Sequence, residues 1–255
     1  MRRRDFIKAG GAAAALAAGG RPLVSVAAEQ NCYMPGDTVD GEIFFQDAQQ
    51  KPAKLLNAIR PGSKAVVLVI IGGAYLTTTD KHGGMWCEDT LFEFGNLKAA
   101  SNAFNDQGVQ FIAVACPPVY SDKYGWPKGV FLDEPEGSEK FLKAARQFIE
   151  KTEALKKDGT IPLDTLYYDL RYRLLWNRKG YTPGPAYGTV FDWQGKFKWR
   201  KDEQRYGTPC IWFLGPKGKV LREPLYGNNY GSAPPKILFT YWELEAAIGE
   251  ALSAS

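Results

Sequence analysis

AVVLVIIGGAYLTTTDKHGGMWCEDT, residues 65–90, decides how this chain is read. Ala65 to Ile71 is an unbroken β-branched and aliphatic run, the pattern of a strand buried on both faces. A Gly- and Thr-rich stretch follows, then Trp86 and a lone Cys87. A helical pattern starts at once, with Leu91, Phe94, Leu97 and Phe104 as its apolar positions. The sequence therefore predicts a core strand that hands a thiol to a helix N-terminus. The unpaired amides there carry partial positive charge and favour thiolate, the nucleophilic form of cysteine.

Downstream of this point, Asp106-Gln107-Gly108 supplies a helix stop, and Val109 to Ala115 is a second buried strand ending at Cys116-Pro117-Pro118. Strand, helix, strand in this order makes a right-handed βαβ unit with parallel strands. Cys87 and Cys116 then share the carboxyl edge of the sheet, where α/β proteins place their sites. Upstream, Thr38 to Phe45 has strand character, Lys54 to Ile59 reads as a short helix, and Arg60 to Ser63 as a turn. Residues 119–186 read as an insertion. It opens with a loop carrying Tyr120, Tyr124 and Trp126. A helix runs from Ser138 to about Lys157, with Phe141, Leu142, Ala145, Phe148 and Ile149 on one face. A second helix, Asp164 to Trp176, aligns Leu166, Leu170 and Leu174. The last third returns to sheet: a short strand at Gly188 to Phe191, then Cys210 to Leu214, then a hairpin turn at Gly215 to Gly218. Thr240-x-x-Glu243 is a capping box opening a final helix with Trp242, Leu244, Ile248 and Leu252 as its apolar residues.

The first 28 residues read as a leader outside the fold. Arg3-Arg4-Asp5-Phe6-Ile7-Lys8 resembles a twin-arginine export signal, with Arg2 where a hydroxyl residue is usual. The weakly apolar run to Gly20 is too short to span a bilayer, and Val26-Ala27-Ala28 suits a cleavage site. The expected mature protein is periplasmic, starts near Glu29, and is free of the membrane. The whole chain holds 32 Lys and Arg against 28 Asp and Glu. The leader carries five of the first and one of the second, which leaves 27 of each and a formally neutral domain. That balance argues against nucleic acid or an anionic membrane as a partner. Four cysteines, Cys32, Cys87, Cys116 and Cys210, permit three full disulfide pairings, none with CxxC spacing. With one histidine, His82, the chain has no Cys/His zinc pattern.

Three segments together resemble the thioredoxin-like superfamily, in its redoxin branch of TlpA-type exported thioredoxins and peroxiredoxins. They are the junction Gly84-Met85-Trp86-Cys87, the helix and strand that follow through Ala115, and Tyr206-Gly207-Thr208-Pro209-Cys210-Ile211-Trp212-Phe213-Leu214 with the turn Pro216-Lys217-Gly218-Lys219. The match covers most of residues 54–118 and 186–252. It implies an α/β fold over 29–255, a thioredoxin-like mixed sheet flanked by helices, with a helical insertion (119–186) before the cis-Pro strand. It also implies that Pro209 is the cis-proline facing a nucleophilic Cys87, leaving the backbone of Thr208 to pair with an extended substrate. Partners would be protein thiols and disulfides or a small oxidant, with an external thiol as reductant. No cofactor or metal is implied.

Two departures from the family pattern sharpen the question. Dithiol members read WCxxC, whereas this chain reads Trp86-Cys87-Glu88-Asp89-Thr90, so Thr90 occupies the resolving position. A single thiol needs a distant cysteine, Cys116 or Cys210, or an external thiol to release its adduct. Peroxiredoxin-type members place Thr or Ser three residues before the cysteine, where this chain has Gly84. Glu88 and Asp89 repel a thiolate and oppose the helix dipole, and Lys81 and His82 are the nearby cations that would offset them. The leading expectation is an exported thiol-disulfide oxidoreductase with one active-site cysteine. The alternatives are a redox-inactive binding or assembly module and a one-cysteine peroxidase.

Overall fold

The computed structural model describes residues 33–41, 44–72, 87–115, 135–161, 163–167, 209–228, 230 and 233–255. The leader, Cys32, Lys81, His82, Trp86, Cys116, the aromatic loop at 120–126, the expected strand at 188–191 and Thr208 all lie outside the described residues.

The expected core strand, β3 (Ala65–Ile71), is buried at all seven positions. It runs parallel to β4 (Val109–Ala115) in full register, from Ala65 opposite Val109 to Ile71 opposite Ala115. The helix between them, α1 (Glu88–Phe104), ends through a 3-10 turn at Asn105–Gln107, closed by Gly108 in the left-handed region at φ 90°. On its other side β3 pairs antiparallel with β6 (Cys210–Leu214), placing Cys210 opposite Ile70. With β1 (Phe44–Gln46), β2 (Pro52–Lys54), β5 (Asp164–Tyr167) and β7 (Leu225–Tyr226), the order is β2-β1-β5-β4-β3-β6-β7. Two further helices complete the described elements: α2 (Pro135–Lys157) and α3 (Tyr241–Ala254). This is a mixed sheet with flanking helices, as the sequence implies, and β3 sits inside it with a partner on each side.

Alternation along the strands divides the core in two. Val67, Val69 and Ile71 meet Phe94 and Leu97 of α1, Phe148 of α2 and Ile248 of α3 on one face. Val66, Leu68 and Ile70 meet Phe45, Leu55, Val114, Cys210 and Trp212 on the other. Leu97 is fully buried in the first cluster. Leu97→Ala is expected to lower unfolding free energy by about 2–5 kcal/mol in a urea titration, from lost transfer energy plus a cavity.

Several expectations change. Asp164–Tyr167 is a strand, not the start of a helix: Ile112 to Ala115 of β4 need a partner on their free edge, and Asp164, Thr165, Leu166 and Tyr167 supply it in parallel register. The leucine spacing that imitates a helix there reaches into residues 168–176, which lie outside the described residues. Both α2 and β5 fall within the span read as an insertion, and both are built into the main sheet and its core. The Lys54–Ile59 segment splits: Pro52–Lys54 is a strand, and only Leu56–Ala58 makes a 3-10 turn. The Asp47 carboxylate accepts from the amides of Gln49 and Lys51, which closes a β1–β2 hairpin and draws Lys54 into pairing with Phe44. Thr38 makes an isolated bridge to Lys219, β1 is Phe44–Gln46, and residues 42–43 lie outside the described residues. Finally α2 begins at Pro135, as suits a residue lacking an N–H at the first helical position.

The C-terminal end follows the sequence closely. Thr240 caps α3, its hydroxyl accepting from the Glu243 amide while Glu243 reaches back to the Thr240 amide. Leu244 and Ile248 are buried, but Trp242 is 72% exposed rather than part of the apolar face, and it stacks edge-on against Tyr241. At the amino edge of the sheet, buried Gln110 satisfies all its bonding capacity. Its oxygen accepts from the Arg60 amide and the Ser63 hydroxyl, and its amide donates to the Ala58 carbonyl and the Asp164 carboxylate.

Candidate active site

Cys87 lies at the carboxyl edge of the sheet, as the N-cap of α1. Its extended backbone (φ −65°, ψ 144°) lets the side chain fold back over the first turn, where the sulfur accepts from the Thr90 amide at 3.3 Å. The Thr90 hydroxyl lies 3.0 Å from the same sulfur. That hydroxyl oxygen accepts from the Gly72 amide at 3.2 Å, and its O–H can donate to the sulfur or its second lone pair accept from the thiol. Gly72 acts twice, since its carbonyl accepts from the Cys87 amide at 3.1 Å. The residue just past β3 thus fixes both the main chain of Cys87 and the hydroxyl beside its sulfur. Thr90 itself is fully buried, and Cys87 is half-buried.

Thr90, which the sequence reading names as the residue standing where a resolving thiol would be, lies directly beside the sulfur. Its N–H donates to the sulfur and its hydroxyl shares a hydrogen bond with it, beside the positive end of a helix dipole. The first-turn acids divide. Glu88 is exposed, whereas the Asp89 carboxylate accepts from the Tyr230 amide at 2.7 Å.

Cys210 is brought to the neighbouring strand but not to the same side. It shares a face with Ile70, Leu68 and Trp212, whereas α1 packs on the opposite face with Ile71 and Val69. It is a fully buried thiol, and burial pushes its pKa from an ordinary 9.0 up to about 12. This is the environment of a small core hydrophobe rather than of a resolving thiol. The unfolded thiol ionises near 9 and the folded one near 12, so its contribution to stability is whole below pH 9 and is lost as pH climbs toward 12. The parent is therefore expected to lose melting temperature between pH 9 and 11 more steeply than Cys210→Ala, measured by circular dichroism.

Pro209, the residue before β6, is buried. The Thr208–Pro209 bond involves a residue outside the described set. Among the described residues the cis peptide bond joins Ala233 and Pro234. The chain leaving β7 runs hard against Pro209: a Cβ on Gly227 would collide with the Pro209 carbonyl oxygen and lie 3.0 Å from its Cδ. Glycine is required there by close approach.

Sequence reasoning missed one cluster beside the site. Glu93, two turns into α1, is fully buried. Its Oε1 accepts from the Asn228 amide at 2.6 Å and from the Tyr230 hydroxyl at 2.6 Å, and its Oε2 accepts from Asn96 at 3.1 Å. Asn228 is also buried. Its oxygen accepts from the Phe239 amide at 3.0 Å, and its amide donates to the Phe239 carbonyl at 3.0 Å. Burial and the bond to Glu93 push the Tyr230 hydroxyl up to about 12. The available signal was an acid at position 93, on the same helical stripe as Thr90 and Leu97, where a core residue is expected.

No family model matches the chain, and no curated protein matches it. Solved structures do resemble it. An uncharacterised conserved protein from Geobacillus kaustophilus aligns at 13% identity with a TM-score of 0.47, over 88% of this chain and 84% of its own. The thioredoxin domain of a thiol-disulfide oxidoreductase from Bacteroides vulgatus aligns at 11% identity with a TM-score of 0.43, over 86% and 99%. A secreted disulfide oxidoreductase of Mycobacterium tuberculosis aligns at 11% identity with a TM-score of 0.39, over 83% and 96%.

Proposed function

We propose that this chain is an exported, thioredoxin-fold thiol-disulfide oxidoreductase of redoxin type that works with one active-site cysteine, Cys87. The observation that carries the reading is the sulfur at the N-cap of α1 with the Thr90 amide and hydroxyl both on it. The Trp86-Cys87 junction and the Thr208-Pro209 block support it through the family resemblance, and the twin-arginine leader supports a periplasmic location.

In the proposed reaction the Cys87 thiolate attacks one sulfur of a substrate disulfide. A new bond forms between Cys87 and that sulfur, the old sulfur–sulfur bond breaks, and the other half leaves as thiolate. The leaving thiolate takes a proton from solvent. When Cys87 is a thiolate the Thr90 hydroxyl donates to it, holding the nucleophile in place before attack. Pro209 and the main chain of Thr208 dock the extended segment that bears the disulfide. Cys210 faces the other side of the sheet, so release falls to an external thiol or to Cys116. The external thiol attacks the mixed disulfide, its sulfur bonds to the substrate sulfur, and Cys87 leaves as thiolate. Exchange of this kind consumes only thiols and disulfides.

Thr90 in place of a resolving thiol also suits the rival reading, a binding or assembly module. The test is to mix the mature protein with a peptide disulfide, quench in acid, and map adducts by mass spectrometry. The expected product is a mixed disulfide on Cys87 that accumulates without added thiol and turns over when a small thiol is supplied. Absence of that adduct, with Cys87 still open to alkylation, leaves the binding module. Faster consumption of hydrogen peroxide than of the disulfide gives the peroxidase instead.

A further inference from the structure

The site is held from two directions. On the core side, Gly72 anchors Cys87 and Thr90 to the end of β3. On the flank, the segment after β7 is tied into α1 by a second set of bonds. The Tyr230 amide donates to Asp89, the Tyr230 hydroxyl and the Asn228 amide donate to Glu93, and Asn228 holds both the amide and the carbonyl of Phe239 at the foot of α3. Immediately before these residues, Gly227 packs its backbone on the carbonyl of Pro209. Asn228 is therefore the point where α1, the lead-in to α3 and the chain that backs Pro209 are joined.

We infer that Asn228 is a positioning residue for substrate docking. Through Glu93 and the Phe239 backbone it fixes the Gly227 segment against Pro209, and so sets where the docking edge stands relative to Cys87. This rests on the exchange reaction proposed above, but it assigns a function to a cluster that touches neither reacting sulfur. A buried carboxylate with three donors is costly to assemble unless geometry is what it secures. The position of Pro209 is that geometry: a displacement of about 1 Å at a docking element is worth orders of magnitude in rate.

The two anchorages can be separated by experiment. Iodoacetamide alkylation of Cys87 needs no docking and reads the core-side anchorage alone. Exchange with a disulfide-linked extended peptide needs both, and exchange with hydroxyethyl disulfide, which has no peptide backbone, leans little on Pro209. In Asn228→Ala the alkylation rate is expected to stay within about twofold of the parent, while kcat/KM for the peptide falls about tenfold or more through KM, with a smaller loss for hydroxyethyl disulfide. Thermal melting checks that the variant is folded. Tyr230→Phe removes one hydroxyl and keeps the ring against Phe92, so it carries the test if Asn228→Ala does not fold, with an expected fall of about threefold in the same direction. Equal losses in alkylation and peptide exchange, or no loss in either variant, overturn the inference and leave the exchange reading intact. A parent protein that alkylates at Cys87 but exchanges no disulfide removes that reading and this inference with it.

Discussion

Cys87→Ser is expected to abolish disulfide exchange, lowering the rate by about three orders of magnitude or more to the uncatalysed background. Serine keeps the N-cap: its hydroxyl accepts from the Thr90 amide, as serine does at helix starts generally. Stability should therefore change by less than about 1 kcal/mol, so a lost activity reports on chemistry rather than folding. What serine lacks is a sulfur able to act as a thiolate nucleophile, and an alcohol does not displace a thiolate from a disulfide. The measurement is insulin reduction with a small thiol, parent against variant, with melting curves alongside. Equal rates in the two proteins would mean the sulfur is a capping group only, and the chain would stand as a binding module on a redox fold.

Thr90→Cys is expected to do the reverse and install a dithiol. Position 90 lies one turn into α1 with its side-chain oxygen 3.0 Å from the Cys87 sulfur, so a thiol on that side chain starts beside the sulfur it would bond. In the parent, a mixed disulfide on Cys87 waits for a thiol from solution or for the more distant Cys116. In the variant the second sulfur attacks from within, and the effective concentration of a held group shortens the lifetime of the adduct by about a hundredfold or more. The variant should form an internal disulfide between Cys87 and the introduced thiol, seen as a loss of two mass units and of two alkylation sites. The change also weakens one bond, because sulfur is a poorer acceptor than oxygen for the Gly72 amide, at a cost of about 1 kcal/mol. Adducts as long-lived in the variant as in the parent would show that a sulfur on this turn of α1 cannot reach Cys87 in the direction of attack.

The parts of this fold legible in the sequence are those where one physical signal dominates. β3 and β4 announce themselves because strands buried on both faces must be apolar at nearly every position. The capping box of α3 is legible because two bonds need two residue types three apart. Cys87 stands out as a lone thiol at a change of periodicity. The failures have a common cause in competition between signals. Leu166 has helical companions in sequence, but the open edge of β4 claims it as strand. Trp242 lies on a helix that buries only one stripe, and its neighbour Leu244 takes the core position. Cys210 follows Pro209 in sequence, which draws it toward the site, yet β-strand alternation turns its thiol to the other side. The Glu93–Asn228–Tyr230 cluster is least legible because Glu93 is separated from its two partners by more than a hundred positions, and nothing local in either segment marks the meeting.

The double use of Gly72 has a dynamic consequence. Because one residue accepts from the Cys87 amide and donates to the Thr90 hydroxyl, the Cys87 main chain and the Thr90 side chain are both tied to the residue that follows β3, a strand paired on both sides. They cannot drift apart without opening that strand end. The Cys87 amide should accordingly resist deuterium exchange to the same degree as the central amides of β3, an unusual slowness for a half-buried residue at a helix N-terminus.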